Sequence, residues 1–258
     1  MSVLRHHLLK VFEQGRRFDG RGFEDYRNIS VEYGVSPRSA EGSARVKIGN
    51  TEVVAGVKME LTTPYPDTPH KGGIVVNVEL LPLSHSRFEP GPPSIDSIEL
   101  SRVVDRGIRE CQYVDFEKLC LESGVKVWNV LIDIYPLNVD GHLFDAAALA
   151  AVAALRDTKF PHLNKEGMVD YTQKTTKSLP LQKKIPVACT VLKLGKHLFV
   201  DPDYEEFSLS DARLSVCSLD DGNLCALQKG GDVSFSPDEI LLAIDLAVKK
   251  AKELRKQL

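Results

Sequence analysis

A strand-period hydrophobic pattern that reverses at a two-residue turn is the feature that most constrains the fold of this chain. Polar and apolar residues alternate over 43–47, Gly49 and Asn50 form the turn, and a valine-rich run follows at 53–57. This combination predicts a β-hairpin. A turn of two residues joins antiparallel strands and leaves no room for a crossover helix.

The same pattern recurs in the second part of the chain. A run at 187–194 predicts a strand, Gly195 and Lys196 form a turn, and residues 197–200 return. Further strands are predicted at 74–81, 213–218 and 223–228, and a long apolar run spans 125–137. Strands grouped ahead of helices, with short turns between them, favour an α+β fold over a doubly wound parallel sheet.

Three segments with helix-capping residues predict the main helices. Ser97 is a candidate cap for a helix that runs to about residue 113, and Asp145 precedes an alanine-rich helix at 146–155. Ser236, followed by a proline at the first helical position, begins the last helix. The residues of the first of these helices expected to be buried include Ile98, Val104 and Ile108.

The element pattern divides the chain into four parts. We predict a helical lead-in over residues 1–27, a first half over 28–160, a connector over 161–184 and a second half over 185–258 that ends in a helix. The connector is rich in lysine, threonine and glutamine and has no sustained period, which is typical of an irregular segment.

Charge and hydropathy exclude several classes of protein. The formal net charge is −3, whereas a protein that grips nucleic acid over its whole surface is usually basic. Any nucleic-acid contact is therefore expected in a local patch, or in a channel that a partner helps to line. No apolar run approaches the roughly 18 residues of a membrane span, and residues 1–10 do not resemble a signal peptide. We expect a cytoplasmic protein.

The five cysteines, Cys111, Cys120, Cys189, Cys217 and Cys225, are widely spaced. They form no CxxC pair and no cysteine–histidine cluster with the spacing of zinc ligands. We expect reduced thiols that lie mostly in the core.

A series of short motifs, in order along nearly the whole chain, carries a family resemblance. The motifs lie at residues 17–21, 41–51, 64–69, 76–80, 88–93, 98–106, 200–203 and 228–231. Together they resemble the RNase PH family and, within it, the non-catalytic ring subunits of the archaeal exosome.

The resemblance implies an RNase PH-like fold of two related βαβα halves, of the ribosomal protein S5 domain 2-like type. It implies a ring of six in which this chain alternates with a catalytic PH-type subunit as a trimer of heterodimers. S1/KH-type RNA-binding cap proteins and single-stranded RNA are the other implied partners. The family shortens RNA from its 3′ end by attack of phosphate on the terminal phosphodiester.

That attack requires cationic or hydrogen-bonding groups for the phosphate, an acid for the leaving oxygen and carboxylates for a divalent ion. Catalytic relatives carry an arginine pair just before residue 98, but residues 92–97 contain no arginine. After Asp140-Gly141, where relatives have a hydroxyl residue and an arginine, this chain has only His142 and two apolar residues.

The resemblance also places two aspartates six residues apart on the second-half hairpin of catalytic relatives. Asp201 matches the first, but Phe207 stands at the second and cannot bind a metal. We therefore expect a vestigial site around Asp201, Phe207 and His142, with no catalytic residue, no bound metal and no cofactor.

Isolated polar residues near this site have simpler interpretations. Asp201 is either a leftover acid or the start of an Asp-Pro turn, and the turn is favoured. The acidic cluster of Asp203, Glu205 and Glu206 is expected to be a solvated turn. His142 is expected to lie at the surface or to line the site.

The candidate RNA-binding residues are Arg102, Arg106 and Arg109, whose spacing places them on one helix face. From the residues alone, binding is balanced against simple pairing with the helix's own acids, which are Glu99, Asp105 and Glu110. The resemblance favours RNA, since silent subunits offer arginines from this helix to RNA entering the partner's site; Arg102 and Arg106 match best. Such contacts bind the backbone and not the bases.

A second basic patch comprises Lys174, Lys177, Lys183 and Lys184 in the connector, where a solvated loop is the favoured interpretation.

Two other functions stay open. The first is an active phosphorolytic exoribonuclease of the RNase PH type. The second is a ring scaffold that does not contact RNA.

Overall fold

The computed structural model describes residues 3–258, which form five α-helices, a short 3-10 helix at Glu117–Leu119 and three sheets. The predicted lead-in starts at residues 1 and 2, which lie outside the described residues. The helices are α1 Val3–Glu13, α2 Ile95–Arg109, α3 Phe144–Asp157, α4 Tyr204–Leu209 and α5 Pro237–Arg255. The strands of the first sheet are β1 Ile29–Tyr33, β2 Gly42–Ile48, β3 Thr51–Thr62, β4 Gly73–Val78, β5 Cys120–Glu122 and β6 Lys126–Asn138. The remaining strands are β7 Lys159–Leu163, β8 Val169–Ser178, β9 Val187–Leu194, β10 His197–Val200, β11 Ala212–Ser218 and β12 Leu224–Gly231.

The first predicted hairpin is confirmed as the antiparallel pair β2–β3, with Val46 opposite Val53. Gly49 adopts a left-handed backbone at φ 58°, which glycine reaches without steric cost. The strand order of this sheet is β1-β2-β3-β6-β4, with β5 paired to β6. The β4–β6 pair is parallel, and α2 supplies the crossover that a parallel pair requires.

The second sheet has the order β10-β9-β11-β12, and all of its pairs are antiparallel. All eight residues of β9 are buried because α3 packs on one face of this sheet and α5 on the other. The α+β prediction is thereby confirmed in both halves.

The alanine-rich helix α3 lies between the two sheets and contacts β2, β3 and β9. Twelve of its fourteen residues are buried, because small side chains let a helix approach sheets closely on several sides. The prediction that Asp145 caps this helix is wrong. Leu143 occupies the cap position, and Asp145 lies buried inside the first turn.

Helix α2 begins and ends earlier than predicted. Ser94, and not Ser97, accepts the capping hydrogen bond, which Ser97 donates from its backbone N–H at 3.2 Å. Val104 and Ile108 are buried as predicted, but Ile98 is 50% exposed. The apolar side of α2 is narrower than its sequence suggests because the helix packs mainly on β4 and α3.

The segment 161–184, predicted to be an irregular connector, contains most of an antiparallel hairpin formed by β7 and β8. Strand-period alternation is absent because no residue of β8 is buried, so no core selects apolar residues at every second position. The boundaries of the four predicted parts remain a prediction.

The cysteines are all free thiols, as expected, but they are less buried than predicted. Cys189 and Cys217 lie in the core, and the other three are only partly buried.

Candidate functional site: a basic helix beside a small cavity

The exposed face of α2 carries Arg102, Arg106 and Arg109, all three of which are solvent-exposed. The opposite face is fixed in the core by Leu100, Val104 and Ile108, which are spaced one helical turn apart. The packing of α2 therefore places the three arginines on the outside of one helix, as the sequence predicts.

The three arginines differ in how strongly the protein itself holds them. Arg109 donates from Nε and Nη2 to the two carboxylate oxygens of Asp105, at 2.9 and 2.7 Å. Its Nη2 also donates to the Ile74 carbonyl at 2.7 Å. The hydrogen bond to Asp105 raises the pKa of Arg109. Arg109 is thus a cross-link between α2 and β4.

Arg106 donates to Gln228 Oε1 on β12 at 3.3 Å, a long contact to a neutral partner. Arg102 has no hydrogen bond or ion pair with any residue in the range 3–258. The intrahelical pairing considered as the alternative occurs for Arg109 alone, because Glu99 pairs instead with Arg213 at 2.5 Å. Arg102 is therefore a charge that the described fold leaves available.

A groove of about 720 Å³ runs along this face of α2, a volume typical of ligand sites. We call it the α2 groove. Its walls are α2, β4 and the loop between β3 and β4. The charged and aromatic residues that line it are Tyr65, Lys71, Arg102, Asp105, Arg109 and Phe116. Arg106 lies outside this groove, in a smaller cleft with Gln228.

Of the three residues predicted to form a vestigial site, Phe207 lines a small cavity, whereas Asp201 and His142 are buried behind its wall and do not line it. Its apolar wall consists of Leu80, Leu100, Leu143, Phe144 and Phe207. Two arginines line the same cavity. Arg213 is paired with Glu99 and stacks over the Phe144 ring at 4.5 Å. Arg87 lies over the Phe88 ring at 4.9 Å.

Asp201 is only 2% exposed and lies directly after β10. Arg27 donates from its backbone N–H to Oδ2 at 2.7 Å and from Nη2 to Oδ1 at 2.7 Å. Arg21 donates to Oδ2 at 2.8 Å. Burial alone would raise the pKa of Asp201, but Arg27 and Arg21 hold it below its usual value. Both carboxylate oxygens are occupied by arginine.

The prediction of a solvated acidic turn at residues 203–206 is wrong. Asp203 caps α4 and accepts from the Glu206 N–H at 2.8 Å, and Glu206 completes a capping box. The Glu206 carboxylate is fully buried and forms a two-pronged ion pair with Arg17. This ion pair ties the segment after α1 to α4.

From the sequence, His142 is expected at the surface or lining the site; it is 5% exposed, so the surface position is wrong, and it is not among the residues that line the cavity beside Phe207. Its Nδ1 accepts the Phe144 N–H at 3.2 Å, at the start of α3. Burial lowers the pKa of His142 to about 3, which keeps the ring neutral and able to accept. Its Nε2 lies 3.7 Å from Oδ2 of Asp145.

Asp145 accepts a hydrogen bond from the Tyr26 hydroxyl at 2.6 Å. Burial raises the pKa of Asp145 to about 7. Both His142 and Asp145 are thus neutral over a wide pH range, and they belong to the packing between the halves.

The connector lysines are exposed, but several have specific contacts. Lys174 donates to the Ala40 carbonyl at 2.6 Å, Lys177 lies 5.0 Å from the centre of the Phe160 ring, and Lys184 pairs with Asp221 at 2.5 Å. They are distributed around the hairpin and do not form a single patch with α2.

Sequence reasoning did not single out Tyr65 and Lys71 in the α2 groove, or Arg87 and Arg213 in the cavity. The sequence did indicate Tyr65, because an aromatic residue between two prolines in a loop has a restricted backbone even without strand pairing. It did not indicate the arginines, since their positions depend on how the two halves pack.

Within residues 3–258, no helix combines the length and apolar character that crossing a membrane requires.

Comparison with known proteins identifies the fold. The model of domain 1 of the RNase PH 3′ exoribonuclease family matches residues 25–161, and that of domain 2 matches residues 184–250. The exosome complex component Rrp42 of Methanothermobacter thermautotrophicus is 44% identical over 254 residues, covering 98% of this chain and 93% of that protein. Its counterpart in Methanopyrus kandleri is 45% identical over 256 residues, covering 98% and 95%.

Two solved structures are similar over nearly the full length. A chain of the Archaeoglobus fulgidus exosome with RNA bound to the active site has a TM-score of 0.91 and 44% identity, with 99% of this chain and 97% of that chain covered. A chain of an archaeal exosome core has a TM-score of 0.86 and 42% identity, with 99% and 96% covered. This chain belongs to the RNase PH family of 3′ exoribonucleases and their relatives.

Proposed function

We propose that this chain is a catalytically silent ring subunit of an archaeal-type exosome that guides RNA into the active site of a neighbouring subunit. It alternates with a catalytic PH-type subunit in a trimer of heterodimers, and S1/KH-type proteins cap the ring. The proposal is supported by relatives named as exosome complex components and by likeness to a chain of an exosome that contains RNA.

The silence of this chain rests on the relationship between Asp201 and Phe207. Phosphorolysis needs carboxylates that are free to hold a divalent ion. Asp201 is saturated by Arg27 and Arg21, and Phe207 adds an aromatic ring to an apolar cavity wall. These residues do not fit a divalent ion.

Binding of the attacking phosphate would need cations that are not already paired. Arg213 is neutralised by Glu99 at 2.5 Å. Arg87 also lines the cavity and has no ion pair among residues 3–258, but it lies over the Phe88 ring at 4.9 Å and shares the cavity wall with Asp96. One guanidinium beside a carboxylate and an apolar wall is poorly suited to hold a dianion.

The guide role rests on Arg102, an exposed guanidinium without a partner among residues 3–258. Its neighbour Arg106 has only a long contact to a neutral amide. A guanidinium is always charged and can fork onto two phosphate oxygens, so both are suited to bind the RNA backbone. Contacts of this type do not depend on base sequence.

The first test is phosphate-dependent release of nucleoside diphosphates from an unstructured RNA. We expect no release by this chain alone and robust release when it is mixed with a catalytic PH-type partner. Release by the chain alone, persisting after removal of contaminating nucleases, would establish the alternative of an active phosphorolytic enzyme.

The second test separates a guide from a scaffold. Arg102→Glu with Arg106→Glu, in the reconstituted ring, is expected to weaken RNA binding. The plot of log affinity against log salt concentration should flatten by about 0.7 for each lost phosphate contact. Arg38→Glu, which makes the same charge change on the exposed loop between β1 and β2, is the matched control. Unchanged RNA binding by an intact double-variant ring would favour the scaffold.

A further inference from the structure

Three of the five cysteines meet where the end of α2 lies against the hairpin of β11 and β12. Cys111 is the second residue after α2, Cys217 lies on β11 and Cys225 on β12, and all three are free thiols. Cys217 is paired with Ala226, the neighbour of Cys225, beside an irregularity in the strand register. The thiol of Cys225 is close enough to share hydrogen bonds with those of Cys111 and Cys217. We call these three residues the thiol cluster.

Gly107 allows two of these sulfur atoms to approach α2. Cys111 Sγ donates to the Gly107 carbonyl at 3.1 Å, and Cys217 Sγ donates to the same oxygen at 3.8 Å. A Cβ at position 107 would lie only 3.0 Å from the sulfur of Cys217, so a larger residue would push β11 away from the helix. The shared carbonyl thus brings together sulfur atoms from both halves of the protein.

The thiols of the cluster differ in their access to solvent. Cys217 is buried, whereas Cys111 and Cys225 are only partly buried. A dissolved oxidant therefore has access to Cys111 and Cys225 but not to Cys217. Cys120 is also partly buried, but it lies on β5, outside the cluster.

The surroundings favour Cys225 as the thiol that loses its proton first. A hydrogen bond from Cys111 lowers the pKa of Cys225, but the contact with Cys217 and burial raise it overall to about 12. Hydrogen bonding to Cys225 and burial raise the pKa of Cys111 well above its usual value. Arg255, which donates to the Ser218 carbonyl at 2.7 Å, also favours a negative charge on Cys225. The Cys225 thiolate is still rare at neutral pH, so its oxidation is expected to be slow.

We propose that Cys111 and Cys225 are a modification site, which small disulfides convert into an intrachain disulfide. The Cys225 thiolate attacks one sulfur of the small disulfide, forms a mixed disulfide and expels a small thiolate. Cys111, once deprotonated, attacks the Cys225 sulfur of that mixed disulfide and expels the second small thiolate. Two electrons pass from the cysteines to the small disulfide, and the two cysteine protons end on the two released thiols.

The new bond would join α2 of the first half to β12 of the second. It would close a long stretch of chain, and cross-links that close long loops restrict the unfolded chain most. It would also brace the cleft in which Arg106 contacts Gln228, because Cys217 and Ala226 line that cleft. We therefore expect the oxidised chain to unfold at a higher temperature. This inference does not depend on the RNA-guiding role proposed above.

The test treats the reduced full-length chain with oxidised glutathione, denatures it in acid, blocks the remaining thiols and maps the peptides by mass spectrometry. We expect the peptides of Cys111 and Cys225 to be recovered as one linked species, whereas Cys120, Cys189 and Cys217 are recovered blocked. The rate should rise about tenfold per pH unit between about pH 7 and 9, because the thiolate fraction does so below the pKa.

Thermal unfolding is the second measurement. The Tm of the oxidised chain should exceed that of the reduced chain by about 4–16 °C, the shift typical of a disulfide in a chain of this size. Dithiothreitol should reverse the shift. An unchanged or lower Tm of the linked species would overturn the bracing of α2 against β12.

The controls identify the reacting pair. Cys111→Ser and Cys225→Ser are expected to abolish both the linked species and the rise in Tm, whereas Cys120→Ser, the matched control, should oxidise as the unmodified chain does. Cys217→Ser should still form the bond. Recovery of a Cys217–Cys225 disulfide would overturn the assignment of the pair. A lasting glutathione adduct without an intrachain bond, or a full set of free thiols after prolonged treatment, would overturn the site itself. Both outcomes are read on the unmodified chain, so they do not depend on how the variants fold.

Discussion

Arg27 binds Asp201 with both sides of its guanidinium: Nε donates to Oδ2 at 2.9 Å and Nη2 donates to Oδ1 at 2.7 Å. The same arginine donates to the carbonyls of Asp140 and Pro202. It therefore links the end of β6 in the first half to the turn after β10 in the second. Gly141 lies at this junction, where a Cβ would collide with the Pro202 carbonyl oxygen.

The Arg27–Asp201 pair predicts that Asp201 matters for stability and not for chemistry. Asp201→Ala leaves the largely buried Arg27 without its carboxylate, and removal of one partner of a buried pair costs about 3–5 kcal/mol. We expect a loss of this order in urea denaturation, with Asp232→Ala, an exposed aspartate, as the control. A folded Asp201→Ala chain should support full activity of the mixed ring; a specific loss of turnover would indicate a catalytic role.

Arg109 and Arg102 are predicted to respond oppositely to substitution. Arg109→Ala removes the bonds to Asp105 and to the Ile74 carbonyl, so we expect the free energy of unfolding to fall by about 1–2 kcal/mol. Arg102→Ala removes no hydrogen bond or ion pair with residues 3–258 and should change stability by less than about 0.5 kcal/mol. For the RNA affinity of the ring we expect the reverse: Arg102→Ala should weaken binding more than Arg109→Ala does. A larger loss of affinity for Arg109→Ala would mean that Arg109 leaves Asp105 to bind RNA.

The buried pair of His142 and Asp145 predicts opposing pH dependences. The pKa of Asp145 is raised to about 7, so its contribution to stability is complete below about pH 4 and is lost as pH rises through 7. The pKa of His142 is lowered to about 3, so its contribution is complete above about pH 6.5 and is lost as pH falls through 3. Between pH 4 and 6.5 the contribution of Asp145 to stability falls with pH while that of His142 rises, so the two changes cancel.

A variant that lacks one of the two residues should therefore reveal the pH dependence of stability that the other contributes. Asp145→Asn should become more stable relative to the unmodified chain as pH rises from 4 to 7, and His142→Phe should become more stable relative to it as pH falls from 6.5 to 4. Each difference should change by about 1.4 kcal/mol per pH unit. Thermal unfolding at half-unit pH steps measures both. Parallel pH profiles for the variants and the unmodified chain would contradict the burial-shifted pKa values.

Phe207→Asp is predicted to restore no phosphorolysis. The new carboxylate would face Leu143 and Phe144 in the cavity, and a phosphate clamp would still be missing. Loss of the buried part of the ring should destabilise the chain by about 2–3 kcal/mol. Phe207→Leu, which keeps the wall apolar, should lose less. The measurement is diphosphate release by the variant alone, and any phosphate-dependent turnover would contradict the prediction that the cavity cannot hold the attacking phosphate.

The sequence by itself determined the features that depend on neighbouring residues. The alternation around Gly49 set the β2–β3 hairpin, and the Ser236 cap set the start of α5, where Glu239 completes a capping box. The spacing of Arg102, Arg106 and Arg109 placed them together on α2, because helical periodicity is a property of the local chain. Phe207, which stands where catalytic relatives carry an aspartate, could also be recognised from the sequence, because this comparison requires only the family motif.

Only the tertiary structure decided which of the polar residues are available. The sequence could not show that Arg109 reaches a carbonyl on β4, or that Asp201 is held by arginines about 180 positions away. Nor could it show that His142 is buried between the halves. Burial and ion pairing depend on the packing of segments far apart in sequence, and this packing separates Arg102 from its charged neighbours. The function proposed for α2 therefore depends on its sequence for the charges and on the fold for leaving Arg102 without an ion pair among residues 3–258.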